Sequence, residues 1–254
     1  MNENEKPKKS TKDKFKDFIR TIINIILVLI LLFSGYNIFL KLNEYKKADE
    51  LYTELRELNV ETVENPNAKR EDLSYLNEDF RYWITVENTN VDYPVVQSTD
   101  NNYYLYTSFD HEYNGSGTVF MDYRNDHTTD DNVILYGHNM RNGTIFHDIL
   151  QYKEAEFFNQ NNRIKIFTNE GIEVYEVFSS YATGVDFDYL LTDFETDEEY
   201  KKYIDTIVNK SYNKYDGEVT VDDKLITLST CSYETDNART VVHGKLVEVI
   251  EYKE

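Results

Sequence analysis

Cys231 is the only cysteine in a chain of 254 residues, and Arg239 follows it by eight positions. Each adjoins an apolar, β-branched run: Leu225-Ile226-Thr227-Leu228 before the cysteine, Thr240-Val241-Val242 after the arginine. A polar, turn-forming segment separates them. Two such runs joined by a short loop predict an antiparallel hairpin, with the thiol and the guanidinium facing each other at its mouth. A neighbouring cation favours the thiolate, the nucleophilic form of cysteine. A guanidinium also offers a planar fork of donors to an oxyanion. The pair therefore suits covalent catalysis by a cysteine nucleophile. Free cysteine is more commonly a small buried hydrophobe. Against that, Cys231 ends its strand on the polar side, and an N-terminal membrane anchor places it outside the cytosol. A thiol there with no partner in its own chain points to chemistry.

A cysteine nucleophile needs a proton carrier, and histidine suits neutral pH. His111 and His127 lie in polar loop-like segments and read as solvated. His147 falls in a predicted short helix, and His243 alternates within the final strand, on the surface or in the core. His138 follows the apolar run Asn132–Tyr136 and a glycine. It sits at a strand-to-loop transition, where catalytic residues concentrate, although spacing alone separates it only slightly from the other four. Metal chemistry lacks support: there is no second cysteine, no HExxH and no His pair at i, i+4. The acidic run 122–131 lacks the EF-hand pattern and reads as a solvated loop. No glycine-rich phosphate motif is present. A net charge of −20 argues against nucleic acid as a partner. Asn114, Asn142 and Asn209 match the short glycosylation acceptor pattern.

The elements that must hold these residues follow from the hydrophobic pattern. Residues 1–20 are basic and residues 21–40 carry no charge. They read as a cytoplasmic tail and a transmembrane signal anchor. A cleaved signal peptide would have a shorter apolar region and a small-x-small site. Residues 41–58 are amphipathic through Tyr45, Ala48, Tyr52, Leu55 and Leu58, and 41–70 reads as a helical stalk and linker. Residues 71–254 form the catalytic domain, on the outer face of a single-pass membrane protein. Short helices are expected over 72–79 and 144–150, the latter capped by Thr144, and Asn114-Gly115 signals a hairpin. Strands are expected over 82–86, 91–96 (with Pro94 at an edge or end), 118–122 and 132–136, and over 163–168 paired with 172–182. Residues 195–212 form the clearest soluble helix, with a Thr196/Glu199 capping box and an apolar face of Tyr200, Tyr203, Ile204, Ile207 and Val208. Short, regularly spaced strands with few helices predict a mainly β protein, a closed or nearly closed barrel with this helix inserted before the last strands.

Several segments resemble those of the class B sortases and follow the same order along the chain. Thr227-Leu228-Ser229-Thr230-Cys231 is similar to their TLxTC signature, and Tyr136-Gly137-His138-Asn139-Met140 to the segment bearing their histidine. Arg239 fits their arginine. The stretches at 91–97, 100–105 and 120–125 are also similar, and the likeness covers roughly residues 70 to 250. The resemblance implies an eight-stranded sortase-type β-barrel with N-terminal helices and a long inserted helix before the cysteine strand. It implies a cysteine transpeptidase of Gram-positive cell envelopes that requires neither cofactor nor metal. Cys231 would cleave a C-terminal sorting motif of surface proteins after Thr, and a peptidoglycan precursor amine would resolve the thioacyl-enzyme. His138 would shuttle the proton and Arg239 would hold substrate and oxyanion. Groove-lining positions of the family map onto Asn101, Leu105, Tyr136 and Ser229. Ser232 stands where the family often has Glu or Asp. Two other readings are a cysteine protease that uses water and a non-catalytic, membrane-anchored β-barrel with an inert Cys231.

Overall fold

The computed structural model describes residues 11–58, 68–184, 187–231 and 238–252. Helix α1 runs unbroken over Thr11–Glu57, so the apolar stretch and the amphipathic stretch share one helix. It is the one helix among the described residues long and apolar enough to cross a membrane, with a mean hydropathy of 2.4 over its most apolar window. The chain divides into two compact units at residues 47/48. In the second unit, Ala48, Tyr52 and Leu55 are buried while Leu58 is exposed. Tyr52 donates its hydroxyl proton to the carbonyl of Gly117 at 2.8 Å. Residue 117 takes a left-handed φ of +59°, and a Cβ there would lie 2.5 Å from the Tyr104 oxygen, so only glycine fits.

The second unit is a closed barrel of eight strands: β1 (Phe80–Val86), β2 (Asp92–Val96), β3 (Val119–Met121), β4 (Asn132–Tyr136), β5 (Arg163–Phe167), β6 (Gly171–Thr183), β7 (Leu225–Cys231) and β8 (Arg239–Glu251). Around the barrel the order is β1-β2-β3-β4-β7-β8-β6-β5. Pairs β2/β3 and β4/β7 are parallel; the others are antiparallel. Pro94 faces Trp83 on β1, but the β2/β3 pairing begins only at Val95, so its missing N–H falls where β2 has one neighbour.

Besides a short α2 (Ala155–Gln160), the helix α3 (Asp197–Lys210) lies between β6 and β7 in the chain. Thr196 caps α3 by accepting from the N–H of Glu199 at 3.3 Å, and three acidic residues occupy its first turn, where the helix dipole favours them. Tyr200, Tyr203, Ile204 and Ile207 pack on Phe178, Tyr181, Leu225 and Val241 of the barrel. At about 1.5–3 kcal/mol for each large side chain buried, this face rather than helix propensity holds α3 in place. Val208, expected on it, is 38% exposed.

Three local expectations change. Residues 72–79 form turns rather than a helix. The Asn77 side chain binds the backbone at Asp79 and Phe109, an alternative to helical bonding. The expected helix at 144–150 is a 3-10 segment over His147–Lys153, since Ile145 has φ +58° and Thr144 bonds Asn142 instead of capping. At Asn114-Gly115 there is a turn in which the Asn114 side chain accepts from the Ser116 N–H at 2.9 Å, rather than a hairpin of two strands.

Candidate active site

The parallel pairing of β4 with β7 brings their C-terminal ends to one rim of the barrel, and β8 starts there because it runs antiparallel to β7. His138 follows β4, Cys231 ends β7 and Arg239 opens β8, so three adjacent strands deliver the three residues. Cys231 and Arg239 are direct cross-strand partners. Both line one cleft of about 580 Å³ with His138, Asn101, Leu105, Tyr136 and Ser229. All seven positions singled out in the sequence therefore meet in one cavity. Cys231 is a free thiol and half-buried, which sets it apart from an inert core cysteine.

The link between β4 and β7 continues past the strands. Tyr136 faces Ser229 as the last pair. Beyond it, the Gly137 N–H donates to the Ser229 carbonyl at 3.2 Å, and the Thr230 hydroxyl donates to the Gly137 carbonyl at 2.6 Å. Gly137 is required by close approach: a Cβ there would meet the Phe146 ring at 2.8 Å. His138 Nε2 lies 2.7 Å from the Leu105 carbonyl. A carbonyl only accepts, so Nε2 carries the proton and Nδ1 is left to exchange one. The Arg239 guanidinium, half-buried, donates to the Ala238 carbonyl at 3.2 Å. Ser232, Glu234 and Asp236 lie outside the described residues.

The far wall comes from the segment between β6 and α3. Phe187, Asp188, Tyr189 and Leu190 all line the cleft. Tyr189 is buried and its hydroxyl lies 2.8 Å from Ser229 Oγ. Burial raises its pKa against the lowering effect of that bond, and Cys231 and Arg239 are both near enough to act on it electrostatically. Sequence reasoning missed this wall, because no local pattern marks a loop that reaches the site only through the packing of α3.

It also read the whole acidic run 122–131 as solvated, which holds for much of the run but not for Asp122 and Asn125. Asp122 is fully buried. Arg124 grips it with Nε and Nη2, both at 2.9 Å, while the Tyr136 hydroxyl at 2.8 Å and Asn101 Nδ2 at 3.0 Å donate to its second oxygen. Burial alone would raise this carboxyl, but these donors outweigh it and hold the pKa below the usual range. The same Arg124 donates to the Leu190 carbonyl at 3.1 Å. Asp122 thus orients two cleft residues, Asn101 and Tyr136, and through Arg124 fastens the far wall. Three of the other histidines are accounted for structurally. His127, expected to be solvated, instead lies 3.2 Å from Glu173 and against the Tyr82 ring. His111 contacts the Tyr103 hydroxyl at 3.2 Å, and His243 is wholly buried.

A sortase-domain family model matches residues 84–247. The chain belongs to the sortase family. Sortase B of Listeria monocytogenes is 33% identical over 245 residues, covering 92% of this chain and 99% of that protein. Sortase B of Staphylococcus aureus is 34% identical over 243 residues, covering 93% and 99%. A Staphylococcus aureus sortase B–substrate complex superposes with a TM-score of 0.74 at 32% identity, covering 81% of this chain and 98% of that one. The protein is thus a sortase B-type cysteine transpeptidase, built on the eight-stranded barrel expected of the class.

Proposed function

We propose that this sortase cleaves a C-terminal sorting motif of surface proteins after Thr and joins the new carboxyl end to a peptidoglycan amine. Cys231 gives its thiol proton to His138, and its Sγ adds to the carbonyl carbon of the Thr. The C–N bond breaks, and the leaving amine takes a proton from His138, giving a thioester. An amine of the peptidoglycan precursor then attacks the thioester carbon, gives its proton to His138 and expels the Cys231 thiolate. Arg239 donates to the oxyanion in both steps. Asn101, Leu105, Tyr136 and Ser229 line the groove for the motif. The observation that carries this reading is the shared cleft of Cys231, His138 and Arg239.

In the same reading residues 1–20 are cytoplasmic, 21–40 span the membrane and the barrel works outside the cell. The basic flank before the apolar span motivates this orientation, and it puts the thiol beside the cell wall. Protease added to intact protoplasts should remove the barrel; full protection would sink the topology.

The catalytic test uses a library of sorting peptides with and without an amine acceptor. Wild type should release the C-terminal fragment and form an amine adduct. Cys231→Ala should do neither, and His138→Ala should be nearly as inactive. An acid product alone, even with excess amine, would mean a protease that uses water. Unchanged turnover in Cys231→Ala would remove this residue as nucleophile.

A further inference from the structure

His138 is flanked by two residues, and both are tied to the cysteine strand. On the near side, Gly137 receives the Thr230 hydroxyl. On the far side, Asn139 Nδ2 donates to the backbone carbonyl of Cys231 at 3.0 Å. Asn139 is itself buried, 7% exposed, so its amide is held rather than solvated. Its orientation is settled by chemistry. The Cys231 oxygen can only accept, so Nδ2 must face it and Oδ1 must face the other way. There Oδ1 meets His147 Nδ1 at 2.8 Å. An amide oxygen also only accepts, so His147 holds its proton on Nδ1 and donates it. His147 is brought to this point by the fold-back of the loop after β4: Asn139 bridges Ile145, and the Phe146 N–H donates to the His138 carbonyl at 3.0 Å.

The chain of donors therefore runs His147 to Asn139 to the carbonyl of Cys231. It lies where the regular ladder has ended, since β4 stops at Tyr136 while β7 continues to Cys231. We infer that Asn139, aligned by His147, is a positioning residue that sets the His138 loop against the Cys231 strand end. This rests on the reading of Cys231 and His138 as nucleophile and proton carrier. Neither Asn139 nor His147 lines the cleft, so they act through those two residues. The physical cost of losing such a tie is misalignment. A shift of about 1 Å at reacting groups lowers turnover by as much as 10²-fold, whereas substrate affinity, set by the groove, stays nearly constant.

The test uses the full-length protein in detergent and a sorting peptide that wild type cleaves. Asn139→Asp keeps the shape but removes the donor, and should lower kcat about tenfold or more with KM within about twofold. His147→Leu should show the same split. His147→Asn, whose amide nitrogen falls near the place of Nδ1, should restore most of the loss. The rate of Cys231 alkylation by iodoacetamide against pH is read alongside, below each variant's unfolding temperature. Its midpoint should move by about half a unit or more in Asn139→Asp and His147→Leu, because the thiol's coupling to its proton partner changes. A residue that only adds stability would leave that midpoint and kcat in place. If Asn139→Asp does not fold, the His147 variants decide. With Cys231→Ala inactive, a wild-type kcat and alkylation profile in His147→Leu would overturn this inference alone. Full activity in Cys231→Ala would overturn the underlying reading instead.

Discussion

Cys231 and Arg239 occupy directly opposed positions on β7 and β8, at the rim where the two strands part. Their backbones are locked by the sheet, so the relation of thiol to guanidinium is set by strand register. A one-residue slip would send one of them to the other face.

Arg239 is thereby placed to donate to a developing oxyanion. Losing one such donor costs on the order of 10²–10³ in rate, whereas an exposed surface ion pair is worth only about 0–1 kcal/mol. Arg239→Ala and Arg239→Lys should both lose most turnover while thermal melts stay near wild type. Lysine retains charge without the planar fork. Steady-state peptide cleavage checks this, and near-normal rates in Arg239→Lys would mean that charge alone suffices.

Buried His243 makes stability depend on pH. Thr227 gives its one hydroxyl proton to Asn132 at 2.7 Å, so His243 Nδ1 donates to Thr227 and Nε2 accepts from Tyr181, both at 2.9 Å. Burial pushes this histidine from 6.5 down to about 3. Below pH 6.5 the unfolded chain binds a proton that the folded one refuses, so stability falls with falling pH from 6.5 toward 3 and is fully present above 6.5. Glu173 acts lower. Burial would raise it, but His127, Tyr175 and Lys224 hold it at about 2, so its contribution is lost between 4.5 and about 2. A decline in melting temperature between pH 6.5 and 4.5 is therefore expected from His243, with a shallower slope in His243→Gln. A flat wild-type profile over that window would contradict it.

The end of α1 belongs to the barrel's stability. Tyr52 meets Tyr93 edge to face, with centroids 5.1 Å apart, besides its bond to Gly117. A chain beginning at residue 43 should fold as a soluble domain. In it Tyr52→Ala should cost about 3–5 kcal/mol and Tyr52→Phe about 1 kcal/mol, read by chemical denaturation. A chain beginning at residue 69 should be less stable than Tyr52→Ala, and equal stability of all four would show that the helix end contributes nothing.

Local pattern alone determined a good deal of this protein. Cys231 and Arg239, paired across β7 and β8, lie eight positions apart in the chain, so alternation and turn chemistry suffice to predict their pairing. The cap of α3 by Thr196 depends on four consecutive residues and was legible for the same reason. The segment bearing His138 was legible through its likeness to a family motif, not through spacing, which scarcely separated it from four other histidines.

What only the tertiary structure decided is whatever depends on the parallel pairing of β4 with β7, two strands separated by residues 137–224. That pairing puts His138 beside Cys231, and the packing of α3 behind it brings Tyr189 and Leu190 to the cleft. The fold also buries Asp122 just after β3, where Tyr136 of β4 and Asn101 from an earlier segment join the nearby Arg124 as donors. Buried charge needs satisfied donors, and those donors are chosen by how the barrel closes. No window of neighbouring residues contains that information.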